Sequence, residues 1–190
     1  MFNWKLKDII MVCIFSIVFS FIYLYTLYAA NFFTTILSPF GLSQFAYEVV
    51  FGIWFMASTF SAYIIRKKGV AIISEILAGT IEVLMGNIFG PIVIISAFIQ
   101  GLGCELIFMK YKYKNFTFIS MSLAASLACI FSFVWGYFRG AYDALSIYYI
   151  VCMFGVRMIS AIFFAGILSK ILADKLSNTG ALSSYDISNK

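Results

Sequence analysis

The sequence predicts an all-α membrane protein of six transmembrane helices with both termini in the cytoplasm. Its 190 residues are 63% hydrophobic and 11% charged and include 22 phenylalanines, far from the balance of a soluble domain. The apolar residues fall into runs long enough to span a bilayer, each closed by charge, Gly, Pro or Asn. The basic residues gather in short clusters at the ends of these runs. That is the pattern of membrane topology, not the aromatic-interleaved stripe of a nucleic-acid binder.

Taken in order, the predicted spans cover residues 8–30, 45–65, 69–88, 91–110, 116–138 and 145–172. The first follows MFNWKLKDII, which resembles the start of a signal peptide. Its apolar run is long, however, and cleavage after Ala30 would place Tyr28 where a small residue is needed, so it reads as a retained helix. The second opens with YEVVFGIWF and closes at Arg66, Lys67 and Lys68. The third contains SEILAGTIEVLMGN, the fourth follows the NIFGP turn, and the fifth closes with FVWGYF. Residues 1–176 thus read as one six-helix domain, and 177–190 as a polar, loosely ordered tail.

Orientation follows from the charges. Lys5 and Lys7, Arg66 to Lys68, Lys110, Lys112 and Lys114, and Lys170 and Lys175 all fall on one side of a six-span chain, which assigns that side to the cytoplasm. On the other side Arg139 is partnered in sequence by Asp143, and residues 31–44 form the longest connection, a candidate lid.

Several chemistries are absent. The chain has no histidine, which removes His-dependent catalysis, and it has neither H-E-x-x-H nor a phosphate loop, so ATP use would belong to a partner chain. It reads as a non-enzyme with no cofactor and no metal site. Cys13, Cys104, Cys129 and Cys152 each lie in an apolar span without metal-ligand spacing and read as packing residues.

The informative residues are the polar ones left inside the spans: Glu48, Glu75, Glu82, Gln100, Glu105 and Arg157. An acidic side chain near the middle of a membrane helix costs about 2.5–3.5 kcal/mol, so four acids against one base call for a function or for partners. Rise per residue places Glu82 roughly 16 Å from the cytoplasmic edge and Glu75 about 6 Å. Gln100 lies about 13 Å and Glu105 about 20 Å below the turn at Pro91 by the same count. Glu75 and Glu105 thus share the cytoplasmic half, where Arg157 is expected to pair with one of them as a structural ion pair. Glu48, Glu82 and Gln100 form an outer set without a cation, walled by Tyr47, Trp54 and Trp135 and adjoining Asn87. The predicted substrate-binding residues are Glu82, Glu48, Gln100, Trp54, Trp135, Tyr47 and Asn87, with Glu75 and Glu105 included below them. Carboxylates beside tryptophan faces suit a small, flat, cationic or amino-bearing ligand. Ser16 and Ser20 form a small-x-x-x-small face on the first helix, a signal for close helix contact within or between chains.

The blocks YEVVFGIWF, SEILAGTIEVLMGN, QGLGCELIF, FVWGYF and VRMISAIFFAGILSKILADKLSNTG, in this order over residues 1–180, resemble one family. They are similar to the membrane-embedded S components of energy-coupling-factor (ECF) transporters, in the YkoE branch assigned to thiamine and its hydroxymethylpyrimidine precursor. The resemblance implies a six-helix S-component fold in a prokaryotic cell membrane and a pocket that opens outward. It further implies partnership with a transmembrane coupling protein and two cytoplasmic ATPases, with Ser16 and Ser20 facing the coupling protein. Two departures, Ile88 where relatives would carry proline and Cys104 where alanine is usual, touch the turn geometry and the packing rather than the ligand chemistry. An acid-rich pocket favours thiamine, whose thiazolium carries a fixed cation. Two readings compete: a proton-coupled secondary transporter using Glu75, Glu82 and Glu105 as a relay, and a ligand-free scaffold with the glutamates as interhelical glue.

Overall fold

A computed structural model describes residues 4–140, 142–179, Leu182 and Tyr185, with Asp143 described by its backbone alone. Most of the predicted tail and the side chain of Asp143 therefore lie outside the described residues. The first helix, α1, runs over Leu6–Leu37, seven residues beyond its expected end. Nothing in NFFTTIL stops a helix, since Thr34 and Thr35 bond back to the carbonyls of Ala30 and Asn31 within it. The stop is Pro39 in a short 3-10 turn, Ser38–Phe40, followed by Gly41 at φ 68°. Only residues 41–44 are left to connect onward, so the expected long lid is not present.

The second span is interrupted. Helix α2, Phe45–Val50, passes through a 3-10 segment, Phe51–Phe55, into α3, Met56–Ile65. Helix α4 covers Val70–Leu84, α5 Ile92–Lys110 and α6 Phe118–Arg139. Helix α7, Ile147–Ala161, continues through a π-helical segment, Ile162–Leu168, into α8, Ser169–Asn178. Among the described residues five helical stretches are long and apolar enough to cross a membrane: Leu6–Phe40, Phe45–Ile65, Ile92–Lys110, Phe118–Arg139 and Ile147–Asn178. The remaining rod, α4, is shorter than expected. Its 15 residues span about 22 Å, because the chain turns at Gly86, whose φ is 104°.

The packing explains two of the buried acids. Helix α4 lies between α1, α3 and α5, and α5 packs in turn on α6. At the start of α3 the first backbone N–H groups have no partner inside the helix. The Ala57 N–H donates to the Tyr23 hydroxyl at 2.9 Å, and the Ser58 N–H to Glu75 at 2.8 Å. Glu75 also accepts from the hydroxyls of Tyr23 at 2.9 Å and Ser58 at 2.6 Å. Glu105 does the same for α4: the N–H groups of Gly69 and Ala71 donate to its two oxygens at 2.5 and 3.1 Å, and the Tyr113 hydroxyl donates at 2.5 Å. Each acid thus completes the N-terminus of a neighbouring helix from a buried position inside the bundle.

Close backbone approach is built from small residues. A Cβ on Gly101 would lie 2.8 Å from the Ile72 Cα, and one on Gly103 2.6 Å from the Ala128 Cα, so α5 presses on α4 with one side and on α6 with another. Gly79, on the stripe shared by Glu75 and Glu82, meets Ala97 of α5. Ser16 and Ser20 are fully buried: Ser16 donates to the Ser74 carbonyl of α4 at 3.1 Å, and Ser20 to the Ile17 carbonyl of its own helix at 2.7 Å. The small face of α1 is therefore covered by α4, which corrects the expectation that these serines face a coupling protein. The core beneath is aromatic, with Phe60 edge-on to Phe15 and Phe19 at 5.0 and 5.4 Å.

Candidate binding cavity

At the end of the bundle that carries the α1–α2, α4–α5 and α6–α7 connections lies a cavity of about 490 Å3. Seven of the predicted residues line it: Tyr47, Glu48, Trp54, Glu82, Asn87, Gln100 and Trp135. Glu75 and Glu105 do not. They are engaged at the helix starts described above, which corrects their inclusion among the ligand-contacting residues. Arg157 lines the cavity as well, so the set has a cation after all.

Arg157 pairs with Glu48. Its Nε and Nη2 donate to the two carboxylate oxygens at 2.5 and 2.6 Å, a bidentate pair in which both residues are almost fully buried. Its guanidinium also lies 3.8 Å from the centre of the Phe51 ring and 4.9 Å from that of Phe133. The expected pairing with Glu75 or Glu105 does not occur, because those acids already hold backbone donors and α2 packs directly on α7. Counted from the C-terminal ends of their helical stretches, Ile65 and Asn178, Glu48 and Arg157 both stand at roughly 30 Å.

Glu82 is in a different state. Its Oε1 accepts from Asn87 Nδ2 at 2.8 Å and from Trp54 Nε1 at 3.4 Å, whereas its Oε2 is buried without a hydrogen-bond partner among the described residues. Asn87 is held by the turn it starts, since its Oδ1 accepts from the Phe89 N–H at 2.7 Å. Above Trp54 the Tyr47 ring is stacked at 6.4 Å and 20°, and Phe89 meets Tyr47 edge-on at 6.1 Å. The Tyr47 hydroxyl donates to Asn31 Oδ1 on α1. Also lining the cavity, Trp135 Nε1 donates to Ser96 Oγ at 2.9 Å, and Arg139 lies 5.8 Å from the Trp135 ring centre.

Sequence reasoning did not find Asn31, Ser96, Ser132, Gly136, Arg139 or Tyr142, all of which line the cavity. Helical spacing held a signal for some: Ser96 is four residues before Gln100, and Ser132 four before Gly136, each pair sharing one helix face. Tyr142 had no such signal, as it lies in the 3-10 turn after α6. Burial raises its pKa, against the weaker opposing effect of Arg157 beside it, so at neutral pH it is an uncharged hydroxyl. The cavity thus combines an acceptor with an unused oxygen, aromatic walls, and a neutralised ion pair with a hydroxyl beside it.

A solved structure with this arrangement of helices settles the family. It is described as the crystal structure of an S-component of an ECF transporter, and it matches with a TM-score of 0.90 and 36% identity over 98% of this chain and 92% of the other. A Bacillus subtilis (strain 168) relative is 38% identical over 180 residues, covering 95% of this chain and 88% of that protein. Its given name is "Putative HMP/thiamine permease protein YkoE". This chain belongs to the YkoE-type S components of ECF transporters. Residues 7–131 of the S component also match the family described as "ABC-type cobalt transport system, permease component". Among its described residues no group of three or more His, Cys, Asp or Glu side chains is placed to hold a metal ion. As an S component, it is the substrate-binding membrane subunit of its transporter.

Proposed function

We propose that this S component binds thiamine or its hydroxymethylpyrimidine precursor in a cavity open to the outside of a prokaryotic cell. In this reading it delivers the ligand through an ECF coupling protein driven by two cytoplasmic ATPases. All six rods cross the membrane, α4 with the help of its flanking turns, and both termini face the cytoplasm. The observation that carries the reading is the Oε2 of Glu82, without a hydrogen-bond partner among the described residues and buried at the wall of an aromatic cavity. A buried carboxylate oxygen without a donor is costly, and an aminopyrimidine supplies the donor. The name of the Bacillus subtilis relative agrees with this ligand class.

The charge-assisted hydrogen bond contributes about 1.5–3 kcal/mol, so Glu82→Gln weakens thiamine binding about 10- to 100-fold. Because the substitution removes a buried charge, unliganded stability holds or rises. Titration calorimetry of both proteins in detergent checks this. An affinity unchanged within about twofold takes Glu82 out of the site. Uptake by the chain alone in proteoliposomes, driven by a proton gradient without ATP, would establish the secondary-transporter reading instead.

A further inference from the structure

Besides Glu82 the cavity is lined by a second polar group, Arg157 with Tyr142, and a glycine leaves space beside it. Gly136 lies on α6 at the cavity wall. Among the described residues a Cβ built there would come within 4 Å of two atoms, each at 3.6 Å: Arg157 Nη1 and the Tyr142 hydroxyl oxygen. Of the guanidinium nitrogens, Nε and Nη2 are committed to Glu48, and Nη2 also reaches Tyr142 at 3.3 Å. Among the described residues Nη1 makes only a long 3.4 Å contact, to Ser132 Oγ. Arg157 therefore has donor capacity left on the side where the glycine leaves space.

We propose that Gly136 is a specificity-determining residue: the notch it leaves admits a hydroxyl oxygen of the ligand to Arg157 Nη1 and the Tyr142 hydroxyl. The site then reads two features of one molecule, an amino group at Glu82 and an alcohol at the notch, with the aromatic walls between them. This rests on the functional reading above and narrows it. Within that ligand class thiamine carries both groups on two linked rings, the alcohol on its hydroxyethyl arm, and a cavity of about 490 Å3 holds both rings. Hydroxymethylpyrimidine, a single ring, spans less of the distance between the two polar groups.

The test compares thiamine with its analogue bearing an ethyl in place of the hydroxyethyl arm, on wild-type protein and on Gly136→Ala, by titration calorimetry. Alanine fits sterically, since 3.6 Å is an ordinary contact, and it favours helix, so unliganded melting temperature stays level or rises. A hydrogen bond from a charged donor leads the wild type to prefer thiamine over the ethyl analogue by about 10- to 100-fold. In Gly136→Ala the methyl occupies the notch, thiamine affinity falls to that of the analogue, and the analogue's affinity moves by less than about twofold. Equal wild-type affinities for the two compounds, or equal weakening of both by the substitution, overturn the inference while leaving thiamine as the ligand. No binding of thiamine to the wild type overturns the functional reading and this inference with it.

Discussion

Glu48, Glu75, Glu82 and Glu105 are chemically alike, and the sequence alone assigned them by depth. The structure separates them by what donates to them: a guanidinium, a helix start, an asparagine and an indole, and a second helix start. Removing Arg157 leaves Glu48 buried and uncompensated, which costs about 3–5 kcal/mol. Arg157→Ala therefore lowers the unliganded melting temperature, and the double variant Glu48→Leu with Arg157→Met recovers most of the loss. Failure of the double variant to recover stability would locate the cost in packing against Phe51 and Phe133. Glu75→Ala strips acceptors from the Ser58 N–H and from two hydroxyls, at about 1–3 kcal/mol for each donor left unsatisfied. The expected result is a lower melting temperature with thiamine affinity unchanged in the fraction that folds. The sequence set Glu82 beside Trp54, and the structure gives it that indole as a donor; the same reading by depth put Arg157 with the wrong acid. Which acid meets which donor was not legible in the sequence, because a pair such as Glu48 and Arg157, 109 positions apart, is fixed by the packing of α2 on α7.

At the scale of elements, α5 and α6 begin and end within two residues of expectation, since Pro91 and Thr117 mark their starts and Lys110 and Arg139 their last residues. The interruption at Phe51–Phe55 was hidden in VVFGIWF, which is apolar throughout and carries only Gly52 as a sign. That glycine is where the interrupted span touches the end of α7: its N–H donates to Ser160 Oγ at 2.9 Å, and a Cβ would lie 2.2 Å from the Ser160 carbonyl oxygen. Backbone cannot rotate away, so Gly52→Ala forces the 3-10 segment off α7 and carries Trp54 with it. Size-exclusion profiles and melting curves should show a marked loss of folded protein. Gly155→Ala is the matched control, since a Cβ there meets nothing within 4 Å and alanine is the better helix former by about 0.8–1 kcal/mol. Its stability should hold or rise.

For the molecule as a whole, the basic clusters predicted one common face, and the structure gathers them at one end: Lys67 bonds Asp8 near the start of α1 at 2.5 Å, and Tyr113 reaches Glu105 at the start of α4. In a background with the four native cysteines replaced, Lys112→Cys should react with a membrane-impermeant thiol reagent only after cells are opened, and Ser38→Cys in intact cells. The reverse pattern would invert the orientation. The separation of Glu48 from Arg157 also bears on biosynthesis. A ribosome adding about 5–20 residues per second needs roughly 5–20 s to make the intervening chain. During that interval Glu48 has entered the membrane and its counter-charge does not yet exist. The second span therefore gains its bidentate partner for Glu48 only when α7 has been made.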